Sequence, residues 1–304
     1  MKKVAISIGD LNGIGIEIAL RAHDIIKTKV EPIYIISKDM LAQASSLLNI
    51  TIPKDFKIVE PNVKDFKIKP GEVSKKSGFY SYRSFIEAVD LATNKKVDAI
   101  LTLPINKEAW DKAGIRYKGH TDALRDIFKQ DAIMMLGCQK MYVALYTEHI
   151  PLKDVAKKVK HKPFKKFLLD LKDSLKTDEK IAVLGLNPHA GDNGVLGDEE
   201  KSIEKAIKKV NKKIGFEQFI GPIVPDIAFT PRFRENFRYF VAIYHDQGLA
   251  PLKALYFDES INVSLNLPIL RVSVDHGTAF DIAYKGKEID IKSYLNSIEY
   301  ICNS

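Results

Sequence analysis

Cysteine is nearly absent: the 304-residue chain has two, Cys138 and Cys302. That excludes a disulfide framework and a cluster of thiolate metal ligands, and it makes a reducing cytoplasm the expected compartment. Tryptophan occurs once, and neither an RNP-like aromatic motif nor a recognition-helix signature is found, so the formal charge of +8 is not read as a nucleic-acid footprint. No stretch approaches the roughly 18 uninterrupted apolar residues of a membrane span. The apolar run after Met1-Lys2-Lys3 stops at Asp10, which argues against a membrane partner and against a secretory signal. Internal repeats, low-complexity tracts and an independent linker are missing as well.

What is present is a globular composition, 45% apolar and 28% charged, long enough for two closely packed lobes. The positive excess is local: nine lysines against three aspartates lie between Lys153 and Lys176. There Phe164, Phe167, Leu168, Leu171 and Leu175 recur at helical spacing, so the lysines are the solvated face of an amphipathic helix.

Short β-rich runs alternate with segments of helical period: Val4 to Ile8 then Ile14 to Ile26, Ile33 to Ile36 then Met40 to Leu48, Phe79 to Leu91 then Val97 to Leu103. Further strands are expected at Met141 to Tyr146, Ile181 to Leu186, Phe240 to Tyr244 and Leu270 to Val274, with a helix at Glu199 to Val210. Such alternation predicts an α/β architecture with much parallel pairing.

Four of the seven histidines, His149, His189, His245 and His276, stand just beyond these apolar runs. The carboxyl ends of strands form the ligand crevice of open α/β sheets, so histidines placed there can converge. Three stand among polar residues: Thr147-Glu148-His149, Asn187-Pro188-His189 and Tyr244-His245-Asp246-Gln247. Neutral imidazoles from separate strands are typical ligands of zinc, cobalt or a similar divalent ion, and three of them leave a position open for substrate. Singly each reads as a half-buried histidine bonded to its loop; the repeated placement favours a ligand set.

Thr102-Leu-Pro-Ile-Asn-Lys107 ends another strand and is followed by Gly119-His120-Thr121, a turn that can offer an imidazole, a hydroxyl and backbone donors to a carboxylate or phosphate, or else a surface loop capped by Thr121. The glycines of Gly9-Asp10-Leu-Asn-Gly13-Ile-Gly15 match neither the dinucleotide fingerprint nor a Walker loop and suggest only a tight turn with amides near a ligand. Lys253, Asn262 and Arg271 suit a phosphorylated substrate, and Arg271, flanked by Leu270 and Val272, needs a partner if buried.

Together these motifs resemble the 4-hydroxythreonine-4-phosphate dehydrogenases of vitamin B6 synthesis, over nearly the whole chain. They include Leu186-Asn-Pro-His-Ala-Gly191 with Gly197-Asp-Glu-Glu200, Tyr244-His-Asp-Gln-Gly248 and Asp275-His-Gly-Thr278. The chain departs from the family at Leu11 and Ile16, where proline is usual, and at Tyr284, where a small residue is.

The resemblance implies a two-lobed α/β/α fold like that of isocitrate and isopropylmalate dehydrogenases, with the active site in the cleft between lobes. Residues 1–122 and 255–304 would form the lobe with the cofactor loop, and residues 123–254 the lobe with the metal ligands and dimer contacts. It implies a homodimer with shared active sites, NAD or NADP as cofactor, and a divalent zinc, magnesium or cobalt ion. Carried over by position, His149, His189 and His245 look like the metal ligands, and His120, Thr121, Lys253, Asn262 and Arg271 like the substrate-binding set. His276, Gly277, Thr278 and Asp281 look like the loop that receives the adenosine half of the dinucleotide. The implied reaction oxidises 4-phosphooxy-L-threonine to a β-keto acid that decarboxylates to 3-amino-2-oxopropyl phosphate, with Asp246 and Lys107 as candidate proton acceptors. The rivals are a sister dehydrogenase acting on a phosphorylated sugar acid or a dihydrodiol, and a metal-dependent hydrolase.

Overall fold

The computed structural model describes residues 1–304. Eleven strands occur in chain order: β1 Lys3–Ser7, β2 Glu31–Ile35, β3 Ile58–Val59, β4 Ala99–Thr102, β5 Ile133–Cys138, β6 Met141–Leu145, β7 Ile181–Leu184, β8 Phe219–Ile223, β9 Tyr239–Ala242, β10 Ile261–Leu265 and β11 Leu270–Val274. The chain divides into two compact units, one of Met1–Gln130, Ile261–Val263 and Leu267–Ser304, the other of Asp131–Ser260 and Ser264–Asn266. Strand β10 carries residues of both. No helix is long and apolar enough to cross a membrane.

In the first unit the strand order is β3-β2-β1-β4-β11, and every pairing along it is parallel. Parallel strands are covered on both faces, which is why β4, Ala-Ile-Leu-Thr, is buried at all its positions. The helix Lys75–Thr93 starts where Ser74 accepts a hydrogen bond from Ser77 N, and it packs Phe85, Ala88 and Val89 into a core with Ile100, Trp110 and Leu124. The single tryptophan is fully buried, and its Nε1 donates to Ser81 Oγ at 2.8 Å, so its polar edge is satisfied.

In the second unit the order is β5-β6-β9-β7-β8; β5 runs antiparallel to β6, and the other pairs are parallel. The helix His245–Tyr256 follows β9 and lies so close on the sheet that a Cβ at Gly248 would meet Val143 Cγ1 at 2.4 Å. Glycine there lets the start of this helix, and therefore His245, sit directly over the end of β9. The lysine-rich helix His161–Leu175 buries Phe164, Phe167, Leu168 and Leu171, as its periodicity predicts.

Candidate active site

Arg271 lies on β11 opposite Ile100 of β4, and Thr102 shares the face of Ile100 two residues on. The guanidinium therefore reaches the end of β4, where Nε and Nη2 both donate to Thr102 Oγ1, at 3.1 and 2.7 Å. Arg271 is 2% exposed, and burial pushes its pKa down to about 9. His120 is 8% exposed, opens the helix His120–Phe128, and sits against Phe85 and Trp110 with ring centres 4.8 and 5.4 Å away. The surface-loop alternative for Gly119-His120-Thr121 is thus corrected, because the aromatic core draws the imidazole inward.

Burial, and after it the Arg271 charge, holds the His120 pKa well below the usual histidine range, so the ring is neutral. Its Nδ1 lies 3.3 Å from Arg271 Nη2, while its Nε2 is buried with no hydrogen-bond partner. Asn262 Oδ1, on β10 of the same unit, is also buried without one. Buried polar atoms are nearly always paired, so an unpartnered imidazole nitrogen next to a buried guanidinium is a candidate contact for a polar ligand. Thr121 follows His120 in the helix and is half-buried, and a Cβ at Gly119 would lie 3.9 Å from Lys107 Cε.

In the second unit the histidine loops leave three neighbouring parallel strands, β6, β9 and β7, in the order His149, His245 and His189. The His149 and His245 rings are 5.4 Å apart, centre to centre. Two imidazoles on one tetrahedral zinc, with bonds of about 2.0 to 2.1 Å, have centres roughly 5 Å apart, so this pair fits a divalent ion. Asp246 Oδ1 meets His245 Nδ1 at 2.7 Å, the carboxylate–imidazole arrangement that orients Nε2 as a ligand.

His189 is exposed, and the three histidines do not form a trio with all ligand atoms within 4.8 Å. It sits on the segment Pro188–Gly194, where φ is positive at His189, Ala190, Gly191, Asp192 and Asn193, a turn of left-handed backbone. For the four residues there that are not glycine this costs about 1 to 2 kcal/mol each. Such strain persists only where the surroundings impose it.

Lys253 lies on the helix that begins with His245, half-buried, its ammonium 5.2 Å from the Phe257 ring centre. The loop with His276, Gly277, Thr278 and Asp281 belongs to the first unit, and His276 Nδ1 lies 3.2 Å from Gly277 O. That loop is anchored to the N-terminal turn: Ile14 N donates to Thr278 O at 3.1 Å, and Tyr284 Oη donates to Leu11 O at 2.7 Å. The amides of Asp10, Asn12, Gly13 and Ile14 are all spent on bonds inside the fold, so the turn supports the neighbouring loop rather than offering donors to a ligand.

One trio does bring its donor atoms within 4.8 Å of one another, His23, Asp24 and Asp55, a spacing able to hold a metal. Sequence reading missed it because Asp55 is distant in the chain. The Lys27 ammonium already meets Asp24 at 2.6 Å and Asp55 at 3.1 Å, which supplies the positive charge those carboxylates need.

Residues 28–301 match the family of the pyridoxal phosphate biosynthetic protein PdxA. The chain is 64% identical over 297 residues to a 4-hydroxythreonine-4-phosphate dehydrogenase of Sulfurimonas denitrificans, covering 98% of this chain and 96% of that one. The crystal structure of the Klebsiella pneumoniae 4-hydroxythreonine-4-phosphate dehydrogenase superposes with a TM-score of 0.83 at 32% identity, covering 99% and 97% of the two chains. A more distant likeness, TM-score 0.50 at 12% identity with 99% and 86% covered, joins the fold to isocitrate dehydrogenase of Methylococcus capsulatus. The chain therefore belongs to the PdxA family.

Proposed function

We propose that the protein is a cytoplasmic 4-hydroxythreonine-4-phosphate dehydrogenase of pyridoxal phosphate biosynthesis, and that its phosphate-binding group is built around Arg271 and His120. One observation carries this: the buried guanidinium meets the neutral His120 ring, whose Nε2 is buried with no hydrogen-bond partner. A phosphate monoester brings a negative charge to the guanidinium and an acceptor oxygen to the imidazole nitrogen. His120, Thr121, Asn262 and Arg271 bind it, and Lys253 adds a further cation to the substrate-binding set.

His149, His189 and His245 are the residues that would hold a divalent ion, zinc, magnesium or cobalt. Bound there, the ion would supply Lewis-acid chemistry to the substrate oxygens. A nicotinamide dinucleotide, NAD or NADP, would supply the hydride acceptor for oxidation of the secondary alcohol to a ketone. His276, Gly277, Thr278 and Asp281 form its loop, steadied by Tyr284 and Ile14. The alcohol proton passes to Asp246 or Lys107, both exposed. The product is a β-keto acid, which loses its carboxylate as carbon dioxide and takes up a proton to give 3-amino-2-oxopropyl phosphate. The active species is a homodimer with shared sites.

The test is incubation of the purified protein with 4-phosphooxy-L-threonine, each nicotinamide and each metal in turn. The expected result is one reduced nicotinamide and one carbon dioxide per substrate consumed. Release of inorganic phosphate without nicotinamide reduction would favour the hydrolase.

A further inference from the structure

Each of the three histidine loops is tied down by a side chain that is not itself a ligand candidate. Thr147, two residues before His149, donates from Oγ1 to Ile243 O at 2.6 Å, which joins the end of β6 to the end of β9. Gln247, two residues after His245, accepts from Ile243 N at 2.7 Å and donates from Nε2 to Gly185 O at 2.7 Å. One amide thus joins the start of the His245 helix, the end of β9 and the end of β7.

On the far side of β7 stands Glu200, 5% exposed. Its Oε1 accepts from Leu186 N at 2.8 Å and Asn187 N at 2.7 Å, and its Oε2 accepts from Asn187 Nδ2 at 2.9 Å. Gly191 lies against the same carboxylate, where a Cβ would meet Oε2 at 2.7 Å. A buried carboxylate satisfied by three donors of one loop fixes that loop's base, and the left-handed turn bearing His189 begins immediately after it.

We propose that Gln247 and Glu200 are positioning residues of the histidine set, Gln247 fixing the spacing of the His245 and His189 loops and Glu200 holding the base of the left-handed turn. This rests on the reading of His149, His189 and His245 as a divalent-ion site. Groups that hydrogen-bond a metal ligand directly are worth about 10- to 100-fold in metal affinity, and anchors acting through the loop backbone are expected at the lower end of that range.

The test uses the full chain, stripped of metal and titrated with Zn²⁺ against a chromophoric chelator, with the visible spectrum of the Co²⁺-loaded protein as a second readout. Gln247→Glu keeps the volume and the acceptor for Ile243 N but sets an oxygen against Gly185 O. Glu200→Gln keeps the acceptor for Leu186 and Asn187 N but sets an amide nitrogen against Asn187 Nδ2. Each is expected to weaken Zn²⁺ binding about 10-fold and to alter the Co²⁺ spectrum at saturation, while the metal-free melting temperature moves little. Gln247→Met, which drops both hydrogen bonds at similar volume, replaces the glutamate variant if that one fails to fold. Wild-type Zn²⁺ affinity in these variants, alongside lost affinity in His245→Ala, would overturn the positioning role. Wild-type affinity in His245→Ala would instead overturn the metal site itself.

Discussion

Arg271 Nη2 donates to His120 Nδ1, and because a guanidinium has only donors, the bond fixes the neutral imidazole with its proton on Nε2. The orphaned Nε2 is therefore a donor waiting for an acceptor, which is what a phosphate oxygen is. His120→Phe retains a ring for Phe85 and Trp110 to pack on but removes this donor. Loss of one charge-assisted hydrogen bond, roughly 1.5 to 3 kcal/mol, raises the KM for the phosphorylated substrate about tenfold to a hundredfold. Steady-state kinetics with each ligand varied should show the nicotinamide KM unchanged.

Arg271→Lys keeps a cation but gives up the planar fork. The expected effect is again about a tenfold to hundredfold rise in the KM for the phosphorylated substrate alone. A melting curve recorded alongside separates this from structural damage, since a destabilised protein with an unchanged substrate KM means that the guanidinium only braces Thr102.

Asp10 is fully buried, and burial lifts its carboxyl to about 6 even though Asn12 N and Ser77 Oγ donate to it. The folded state thus prefers the protonated acid. Its contribution is fully present below the unfolded value of 3.8 and is lost as pH rises through about 6. The difference amounts to roughly 3 kcal/mol. Asp10→Asn should therefore melt higher than the wild type at about pH 8, with the gain shrinking toward pH 4. Scanning calorimetry across that range checks the sign.

The substrate group around Arg271 and the histidines around His245 belong to different compact units of the chain. Mixing inactive His149→Ala and Arg271→Ala proteins is expected to restore activity if each site draws on two chains. Undiminished activity per chain in a stable monomer at high dilution would remove the shared-site arrangement.

The strand-end histidines were legible in sequence because each follows an apolar run, and the neighbouring order β6-β9-β7 makes that shared placement spatial. Arg271 was legible as a buried cation in need of a partner, but the partner was not. Thr102 is 169 residues away, and only the β4–β11 register puts it on the same face. Gln247 and Glu200 sit inside recognised motifs, yet their work depends on which strand lies beside which. Strand β3 escaped because it is two residues long, and the longer strands β5, β8 and β10 escaped for other local reasons. Strand β5 is rich in methionine, β8 is broken by Gly221-Pro222, and β10, Ile-Asn-Val-Ser-Leu, is short and half polar.

The late arrival of β11 beside β4 has a bearing on synthesis. As the chain leaves the ribosome, β4 is flanked by β1 but lacks its other neighbour until the residues around Arg271 emerge, 169 positions after Thr102. At about 5 to 20 residues per second that interval is roughly 8 to 35 seconds, during which an apolar strand edge stands open to chaperones or to another nascent chain. The second unit, nearly all of it encoded between these two strands, has that time to fold first. Stalled nascent chains that have emerged from the ribosome as far as residue 266 should accordingly show a protease-resistant segment from about residue 131 onward, before the N-terminal segment becomes resistant.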